Sequence, residues 1–303
     1  GLKELLNFNI MKRFSFVLLL LVAVVLGLAG PKVGVTLCGG GARGFSHLGV
    51  LQALYEYNIH PEVIAGTSMG AILGAFYAQG YTPQELHDII LKEKFYKINN
   101  ILHLGKEKRK LAGFSSHKNI QKIFSKYLPH NSFDSLQYTF YLCVANLNTG
   151  AAEYIHSGNH LHEYLLGSSS IPGLFTPIFI DSCYYVDGGI LDNFPARAIR
   201  NECDILIGLE SGAELPDFEI KKTKDVISRS LSVVVYNNSL PGYAVCDYMI
   251  NTNIDQHYGL MDFKKFEDIY QAGYQTAIQW LQEHPELVKQ IAKPQQDQQK
   301  DGE

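Results

Sequence analysis

The sequence predicts an α/β fold in which a mainly parallel central sheet is covered by helices. Short apolar runs typical of strands alternate with helical stretches, as in sheets whose strands are joined by helical crossovers. Two of these predicted strands, at residues 33–37 and 63–65, each end in a glycine-containing turn that leads into a helix. With 303 residues, 46% of them hydrophobic and 18% charged, the chain is long and apolar enough for one large globular domain.

The first strand–turn–helix unit contains the glycine run Gly39-Gly40-Gly41-Ala42-Arg43-Gly44, followed by a predicted helix at residues 45–57. The exposed backbone N–H groups of such a loop can form an oxyanion hole. The glycine spacing also fits a dinucleotide-binding turn, which requires an acidic residue at the close of the second strand. Glu62 lies near the required distance, but it starts that strand. A nucleotide P-loop is disfavoured because no Gly-Lys-Ser/Thr ending follows.

The second unit contains the pentapeptide Gly66-Thr67-Ser68-Met69-Gly70, between the strand at 63–65 and a helix predicted at 69–79. This arrangement holds Ser68 on a sharp turn at a helix N-terminus, where the helix dipole favours developing negative charge. The pentapeptide alone is also typical of an ordinary tight connection. Its position between a strand and a helix favours a nucleophile.

A nucleophilic serine needs a base to accept its proton. Four histidines are candidates after the serine: His156, His160, His162 and His257. None of them stands at a strand end beside glycines, which favours surface or interior roles. Asp187 does stand in that context, because residues 183–186 predict a strand and Gly188-Gly189 follow it. From these residues alone, a plain β-turn is an equally good interpretation of Asp-Gly-Gly.

The motifs at residues 39–44, 66–70 and 187–189, in this order, resemble those of the patatin-like phospholipases, and the similarity extends from about residue 31 to residue 280. The resemblance implies a patatin-like fold and a Ser–Asp dyad without histidine, which requires no metal or other cofactor. The roles implied are Ser68 as nucleophile, Asp187 as general base, and Gly40, Gly41 and Ala42 as donors of oxyanion N–H groups. Arg43 would brace the glycine loop.

Two segments depart from the family pattern: Cys38 replaces a frequent serine, and Ser168-Ser169-Ser170 replaces an alanine-containing segment. Neither is expected to touch the dyad. A carboxylate within hydrogen-bond reach can deprotonate Ser68 directly, and partial burial would raise the pKa of Asp187 and make it a better base. The five cysteines show no metal-ligand or disulfide spacing and are expected to be free thiols, mostly buried.

The expected function is a serine acyl hydrolase that cleaves fatty-acyl esters of lipids or phospholipids. The alternatives are a carboxylesterase or lysophospholipase acting on soluble esters, and a catalytically silent lipid-binding protein. The expected partners are therefore a lipid or acyl-ester substrate and a membrane surface. Nucleic acid is not expected, because the net charge is −4 and the isoelectric point is about 6.3.

The predicted domain organisation has four parts. Residues 1–10 are an upstream extension, and residues 11–30, with Met11-Lys12-Arg13 before an apolar run, are expected to be a signal peptide or membrane anchor. Residues 31–285 form the hydrolase domain, and residues 286–303 form a polar, disordered tail. The protein would then be exported or membrane-associated, with a cytoplasmic location as the alternative.

Three further segments have specific predictions. Thr82-Pro83-Gln84-Glu85 is typical of a capped helix start. Residues 262–283 carry an apolar stripe at helical spacing, which predicts core packing. Residues 101–110 are apolar and then basic, which fits either a lid over the site that meets anionic lipid or a solvated loop.

Overall fold

A computed structural model describes residues 30–97, 118–212, 215 and 217–291. Within these ranges the chain forms one eight-stranded sheet. Its strands are β1 (Val33–Leu37), β2 (Val63–Thr67), β3 (Thr139–Asn146), β4 (Ala152–Ile155), β5 (Ile178–Ile180), β6 (Cys183–Asp187), β7 (Ile205–Glu210) and β8 (Tyr248–Asn251). The spatial order is β5-β6-β3-β2-β1-β7-β8, and β4 pairs with β3 beside this path.

The predicted mainly parallel sheet is confirmed for its larger part, because β3, β2, β1, β7 and β8 run parallel to one another. The other end of the sheet is antiparallel, where β4 and β6 both pair with β3. The turn between β3 and β4 is short, and only an antiparallel partner can follow such a turn. Asn146 stabilises this turn, since its Oδ1 accepts hydrogen bonds from the N–H groups of Asn148 (2.8 Å) and Thr149 (3.2 Å).

Helices connect and cover the strands. In the described part of the chain they are α1 (Phe45–Glu56), α2 (Met69–Ala78), α3 (Pro83–Lys92), α4 (Lys118–Tyr127), α5 (Leu161–Ser168), α6 (Thr223–Tyr243), α7 (Phe266–Glu283) and α8 (Pro285–Ile291). All ten residues of α2 are buried, as expected for a helix that is apolar on every side. The predicted cap of α3 is also present: the Glu85 N–H donates to Thr82 Oγ1 (3.2 Å), and the Thr82 N–H donates to Glu85 Oε2 (2.8 Å).

The core has a large and a small part, one on each face of the sheet. The large part lies beneath α1, α2, α3 and α7, with the Phe45 ring packed edge-on against Phe263 and Phe266 at centroid distances of 5.9 and 4.9 Å. The predicted stripe at 262–283 contributes to it through buried Phe266, Ile269, Tyr270 and Leu281, while Tyr274 and Ile278 are partly buried. The small part, around Phe194 and Leu206, lies on the opposite face beneath the carboxyl end of α6.

The prediction of a disordered tail from residue 286 is wrong for residues 286–291, which belong to α8. Leu287 and Ile291 lie four positions apart on one helical face and are buried in the core. The polar composition of the surrounding sequence concealed this short apolar pair. The expected signal peptide or anchor and the segment at 101–110 lie outside the described residues. Among the helices that the structure does describe, none has the length and apolar character needed to cross a bilayer.

Candidate active site

Ser68 occupies the turn between β2 and α2, in a backbone conformation that residues with side chains rarely adopt (φ 55°, ψ −121°). The turn requires glycine at positions 66 and 70, because backbone atoms pack against both of them. A Cβ atom on Gly66 would lie 2.5 Å from the carbonyl oxygen of Gly70, and one on Gly70 would lie 2.4 Å from that of Leu37. The predicted strand–turn–helix context of Ser68 is therefore present, with the strain that such a turn requires.

Ser168 holds this turn in place, although it was expected not to touch the dyad. Its Oγ accepts a hydrogen bond from the Ser68 N–H (2.9 Å) and donates one to the Cys143 carbonyl oxygen (2.8 Å). The expectation is wrong because α5 ends directly beneath the turn, at a point that the sequence alone does not reveal. An alanine at 168 would remove the side-chain acceptor of the Ser68 N–H.

Asp187 ends β6 and lies beside Ser68 because of the register of the sheet. Thr67 pairs with Cys143 on one side of β3, and Asp187 pairs with Val144 on the other. The strand between them thus sets the separation of the two motifs. The Ser68 side chain lies near enough to the Asp187 carboxylate to lower its pKa as a donor would, and the Gly189 N–H donates to Asp187 Oδ1 (2.8 Å).

Burial controls the basicity of Asp187. The residue is 6% exposed and Ser68 is 7% exposed. Removal from water raises the pKa of Asp187 to about 6, against the opposing effect of the hydrogen bonds from the Gly189 N–H and the Ser68 side chain. The carboxylate is therefore ionised at neutral pH, yet it is a stronger base than an exposed aspartate.

The glycine loop lies beside the Ser68 turn, because β1 and β2 are parallel neighbours. Gly41 has a φ of 55°, and the N–H groups of Gly40 and Gly41 make no hydrogen bond with any residue in the described part of the chain. Ala42 departs from the predicted role: its N–H donates to the Leu260 carbonyl oxygen at 2.8 Å and is unavailable as an oxyanion donor in this conformation. The sequence places Leu260 more than 200 positions away, so it gave no sign of this contact.

Arg43 contributes to the loop through its backbone, since its N–H donates to the Gly40 carbonyl oxygen (3.1 Å). Its buried Nε has no hydrogen-bond partner within the described ranges. Asn193 contributes more contacts: its Nδ2 donates to the Gly39 carbonyl oxygen (3.1 Å), and its own carbonyl accepts the Gly39 N–H (3.2 Å). Asn193 follows Asp187 by six residues, so it connects the aspartate turn to the glycine loop.

A second buried carboxylate, Glu210, lies at the end of β7 beneath the glycine loop. Its Oε1 accepts hydrogen bonds from Cys38 Sγ (3.1 Å) and from the N–H groups of Ser211 (2.9 Å) and Gly212 (3.1 Å), and its Oε2 accepts one from the Tyr243 hydroxyl (2.6 Å). Burial raises the pKa of Glu210, and burial together with the Glu210 charge raises that of Cys38 well above its ordinary value. Cys38 is therefore an unreactive thiol that links the glycine loop to Glu210.

An apolar cavity opens beside Ser68, with about 530 Å³ of empty space when the open solvent at its mouth is included. Apart from Ser68, Ser169 and Gly41, its walls are apolar side chains: Met69, Ile72, Phe95, Ile120, Ile171, Leu174, Phe175, Leu260, Met261 and Phe263. A second apolar cavity shares Ile72 and Phe95 with the first. The space next to the hydroxyl is therefore suited to a hydrocarbon chain and offers few partners to a polar substrate.

The positions of the histidines and of Glu62 argue against a histidine base and against a dinucleotide-binding turn. His162 Nε2 lies 2.8 Å from the Leu128 carbonyl oxygen, and the His156 ring stacks on Tyr141. Among the described residues, no histidine hydrogen-bonds Ser68 or Asp187. Glu62 precedes β2, at the edge of the sheet opposite the glycine loop, where it cannot reach a ribose bound at that loop.

Comparisons with known proteins match most of this chain. A family model described as patatin-like phospholipase matches residues 35–199. Lysophospholipase NTE1 of Kluyveromyces lactis is 27% identical over 300 residues, covering 86% of this chain and 20% of that protein. Lysophospholipase nte1 of Emericella nidulans is 28% identical over 290 residues, covering 84% of this chain and 18% of the relative. The chain thus spans about a fifth of the length of these relatives.

Among solved structures, VipD from Legionella pneumophila matches with a TM-score of 0.50 and 17% sequence identity, over 84% of this chain and 67% of that one. At this identity the match supports the fold. The family match covers the glycine loop, Ser68 and Asp187, all of which lie between residues 35 and 199.

Proposed function

Because the chain belongs to the patatin-like phospholipase family, we propose that it is a lipid acyl hydrolase with Ser68 as nucleophile and Asp187 as general base. The observation that carries the proposal is the position of the Ser68 side chain beside the buried Asp187 carboxylate, whose pKa removal from water raises to about 6. A base of this strength is ionised at neutral pH and can accept the serine proton directly. No histidine is needed in between.

In the proposed reaction, the Ser68 oxygen attacks the ester carbonyl carbon while its proton moves to Asp187. The N–H groups of Gly40 and Gly41, which make no hydrogen bond in the described part of the chain, stabilise the resulting oxyanion. The intermediate expels the alcohol, which takes the proton from Asp187, and leaves an acyl-serine. Asp187 then deprotonates a water molecule, which attacks the acyl-serine, and the proton returns to Ser68 as the fatty acid leaves.

The proposed acyl chain occupies the apolar cavity beside Ser68. The walls of this cavity offer hydrocarbon contacts and few polar groups. The relatives named lysophospholipase make monoacyl phospholipids the first substrates to test. Diacyl phospholipids and short soluble esters should be tested next, because the apolar lining of the cavity gives no preference among their alcohol groups.

The proposal is tested by measuring hydrolysis of a lysophospholipid, a diacyl phospholipid in vesicles and a short soluble ester, with wild type and Ser68→Ala. Wild type should hydrolyse at least one lipid ester and should react covalently with a fluorophosphonate. Ser68→Ala should lose both properties, with a rate lower by at least about 10³-fold. Near-wild-type turnover by the variant would contradict the serine mechanism. Lipid binding without turnover or labelling in wild type would favour the silent lipid-binding protein.

A further inference from the structure

Helix α6 exposes an apolar face with almost no charge. From Val226 to Tyr243 the only charged residue is Arg229, whereas 18% of the whole chain is charged. Five apolar side chains are exposed: Val226 (44%), Ile227 (59%), Val233 (38%), Val234 (42%) and Leu240 (41%). They recur at intervals of seven residues, so they share one side of the helix, here called the α6 face. Exposed apolar surface of this extent is typical of an interaction site.

The position of α6 relative to the catalytic edge of the sheet follows from Asn238. Its Nδ2 donates to the Gly189 carbonyl oxygen (2.9 Å), and its Oδ1 accepts the Asn193 N–H (2.9 Å), which places it level with the aspartate turn. After α6, the Asp247 N–H donates to the Leu206 carbonyl oxygen near the start of β7. The helix therefore runs opposite to β7, and its residues before Asn238 extend away from the sheet beyond the catalytic edge.

The length of this extension is set by helix geometry. Fifteen residues separate Thr223 from Asn238, which corresponds to about 22 Å at 1.5 Å per residue. Four members of the α6 face, Val226, Ile227, Val233 and Val234, lie in this projecting part. They are displayed on the side of the molecule where the strands β1 and β2 end and where Ser68 opens into its cavity.

Two neighbouring features extend the apolar surface. The segment leading into α6 exposes Phe218 (41%) and Ile220 (63%), and at the cavity mouth Leu260 and Met261 are each 42% exposed. Leu260 lies at the same edge of the sheet, because its carbonyl accepts the Ala42 N–H of the glycine loop. The cavity therefore opens at the edge beyond which the α6 face projects.

The helix and the segment before it carry a small excess of positive charge. Between residues 217 and 229 the cations Lys221, Lys222, Lys224 and Arg229 stand against Asp217, Glu219 and Asp225, and Lys221 pairs with Glu219 (2.7 Å). Beyond Asp225 the helix has no acidic residue up to Tyr243. Basic residues beside an exposed apolar helix face are typical of helices that lie in the interface of a membrane with anionic lipids. The position of the face beyond the edge at which the apolar Ser68 cavity opens favours a lipid surface over a second protein chain.

We propose that the α6 face docks onto an anionic lipid bilayer and brings the Ser68 cavity to the membrane surface. The inference rests on the proposed function, since a lipid hydrolase must extract its substrate from such a surface. The exposure, charge and position of α6 are the observations that support it. Because Asn238 bonds the turn of Asp187, the docking helix is also attached directly to the catalytic edge.

The test uses a fluorophore that reports entry into an apolar environment, attached to a cysteine introduced by Ser230→Cys in a protein whose partly exposed Cys183, Cys203 and Cys246 are replaced by serine. Ser230 is exposed and lies between Ile227 and Val233 on the α6 face. The matched control is Ser125→Cys, at an exposed position of α4. With the full-length protein and vesicles of phosphatidylglycerol and phosphatidylcholine, the emission at 230 should shift to the blue and be quenched by a lipid-borne quencher. The label at 125 should do neither.

A second measurement uses Ile227→Glu/Val234→Glu, with Leu91→Glu/Leu147→Glu as an equally exposed control pair. The α6 variant should lose at least about tenfold in hydrolysis of vesicle lipid while its rate on a short soluble ester stays within about twofold. The control pair should change neither. Should the glutamate variant unfold, Ile227→Ser/Val234→Ser is expected to give a smaller loss in the same direction.

Three results would overturn the docking proposal: no response of the label at 230 to vesicles, an equal loss on both substrates in folded variants, or a concentration-dependent shift without lipid. The last would identify a second copy of the chain as the occupant. The proposed function fails separately, because Ser68→Ala labelled at position 230 should still respond to vesicles. A protein that binds through α6 but hydrolyses nothing would refute the hydrolase and leave the docking surface standing.

Discussion

Asp187 ends β6 and Glu210 ends β7 of the same sheet, and burial raises the pKa of both carboxylates. They differ in their donors. Glu210 accepts four hydrogen bonds, from Tyr243, Cys38 and two backbone N–H groups. Asp187 accepts one backbone N–H and lies beside the hydroxyl of a serine held in a strained turn. A carboxylate saturated by the fold is positioned to support structure, whereas one whose partner is a reactive hydroxyl is positioned to move a proton.

The largest expected difference between the two carboxylates is in activity. Asp187→Asn removes the proposed base and should lower kcat/KM on a soluble ester by about 10³-fold or more. Glu210→Gln leaves the Ser68–Asp187 pair intact and should cost about tenfold or less, through the glycine loop. Circular dichroism should show that both variants are folded. Similar losses in the two variants would remove the distinction between a base and a supporting carboxylate.

The glycine loop that Cys38 links to Glu210 should give the next largest effect. Gly41→Ala would place a Cβ atom 2.4 Å from the Leu260 carbonyl oxygen at a φ of 55°, and should lower kcat by about 10²-fold through a distorted oxyanion site. Gly150→Ala is the matched control, because Gly150 also has a positive φ (72°) but no atom within 4 Å of its Cβ position. It should cost about 1–2 kcal/mol of stability and no activity. Full activity of folded Gly41→Ala would mean that the loop does not bind the oxyanion.

The effects of the two substitutions on stability should have the opposite order, with Glu210→Gln the more destabilising. The folded-state pKa of Asp187, about 6, lies above its ordinary value of 3.8, so ionisation opposes folding and its contribution to stability falls as the pH rises from about 4 to 6. Asp187→Asn should therefore be as stable as wild type or more stable at pH 7.5. Glu210→Gln breaks a satisfied buried network and should lower the free energy of unfolding by about 1–3 kcal/mol. Urea denaturation at pH 5 and 7.5 measures both effects, and a marked loss of stability at pH 7.5 in Asp187→Asn alone would contradict this ordering.

The sequence predicts local features well and long-range partners poorly. The turn at Ser68 and the capped start of α3 are encoded within a few neighbouring residues, so both could be predicted. The contact between Leu260 and the Ala42 N–H depends on how distant segments meet, which no local pattern encodes. The same holds for Ser168 beneath Ser68 and for Glu210 beneath Cys38. The antiparallel end of the sheet was likewise missed, because the strand runs there resemble those of the parallel part.

The most direct test of the Ser68–Asp187 pair is the pH dependence of the second-order rate of fluorophosphonate labelling. For wild type, the rate should rise with pH through a single ionisation near pH 6, because only the ionised Asp187 can accept the Ser68 proton. Glu210→Gln should retain this ionisation, and Asp187→Asn should label far more slowly and without it. Persistence of the ionisation near pH 6 in Asp187→Asn, at a rate close to that of wild type, would contradict the assignment of Asp187 as the base.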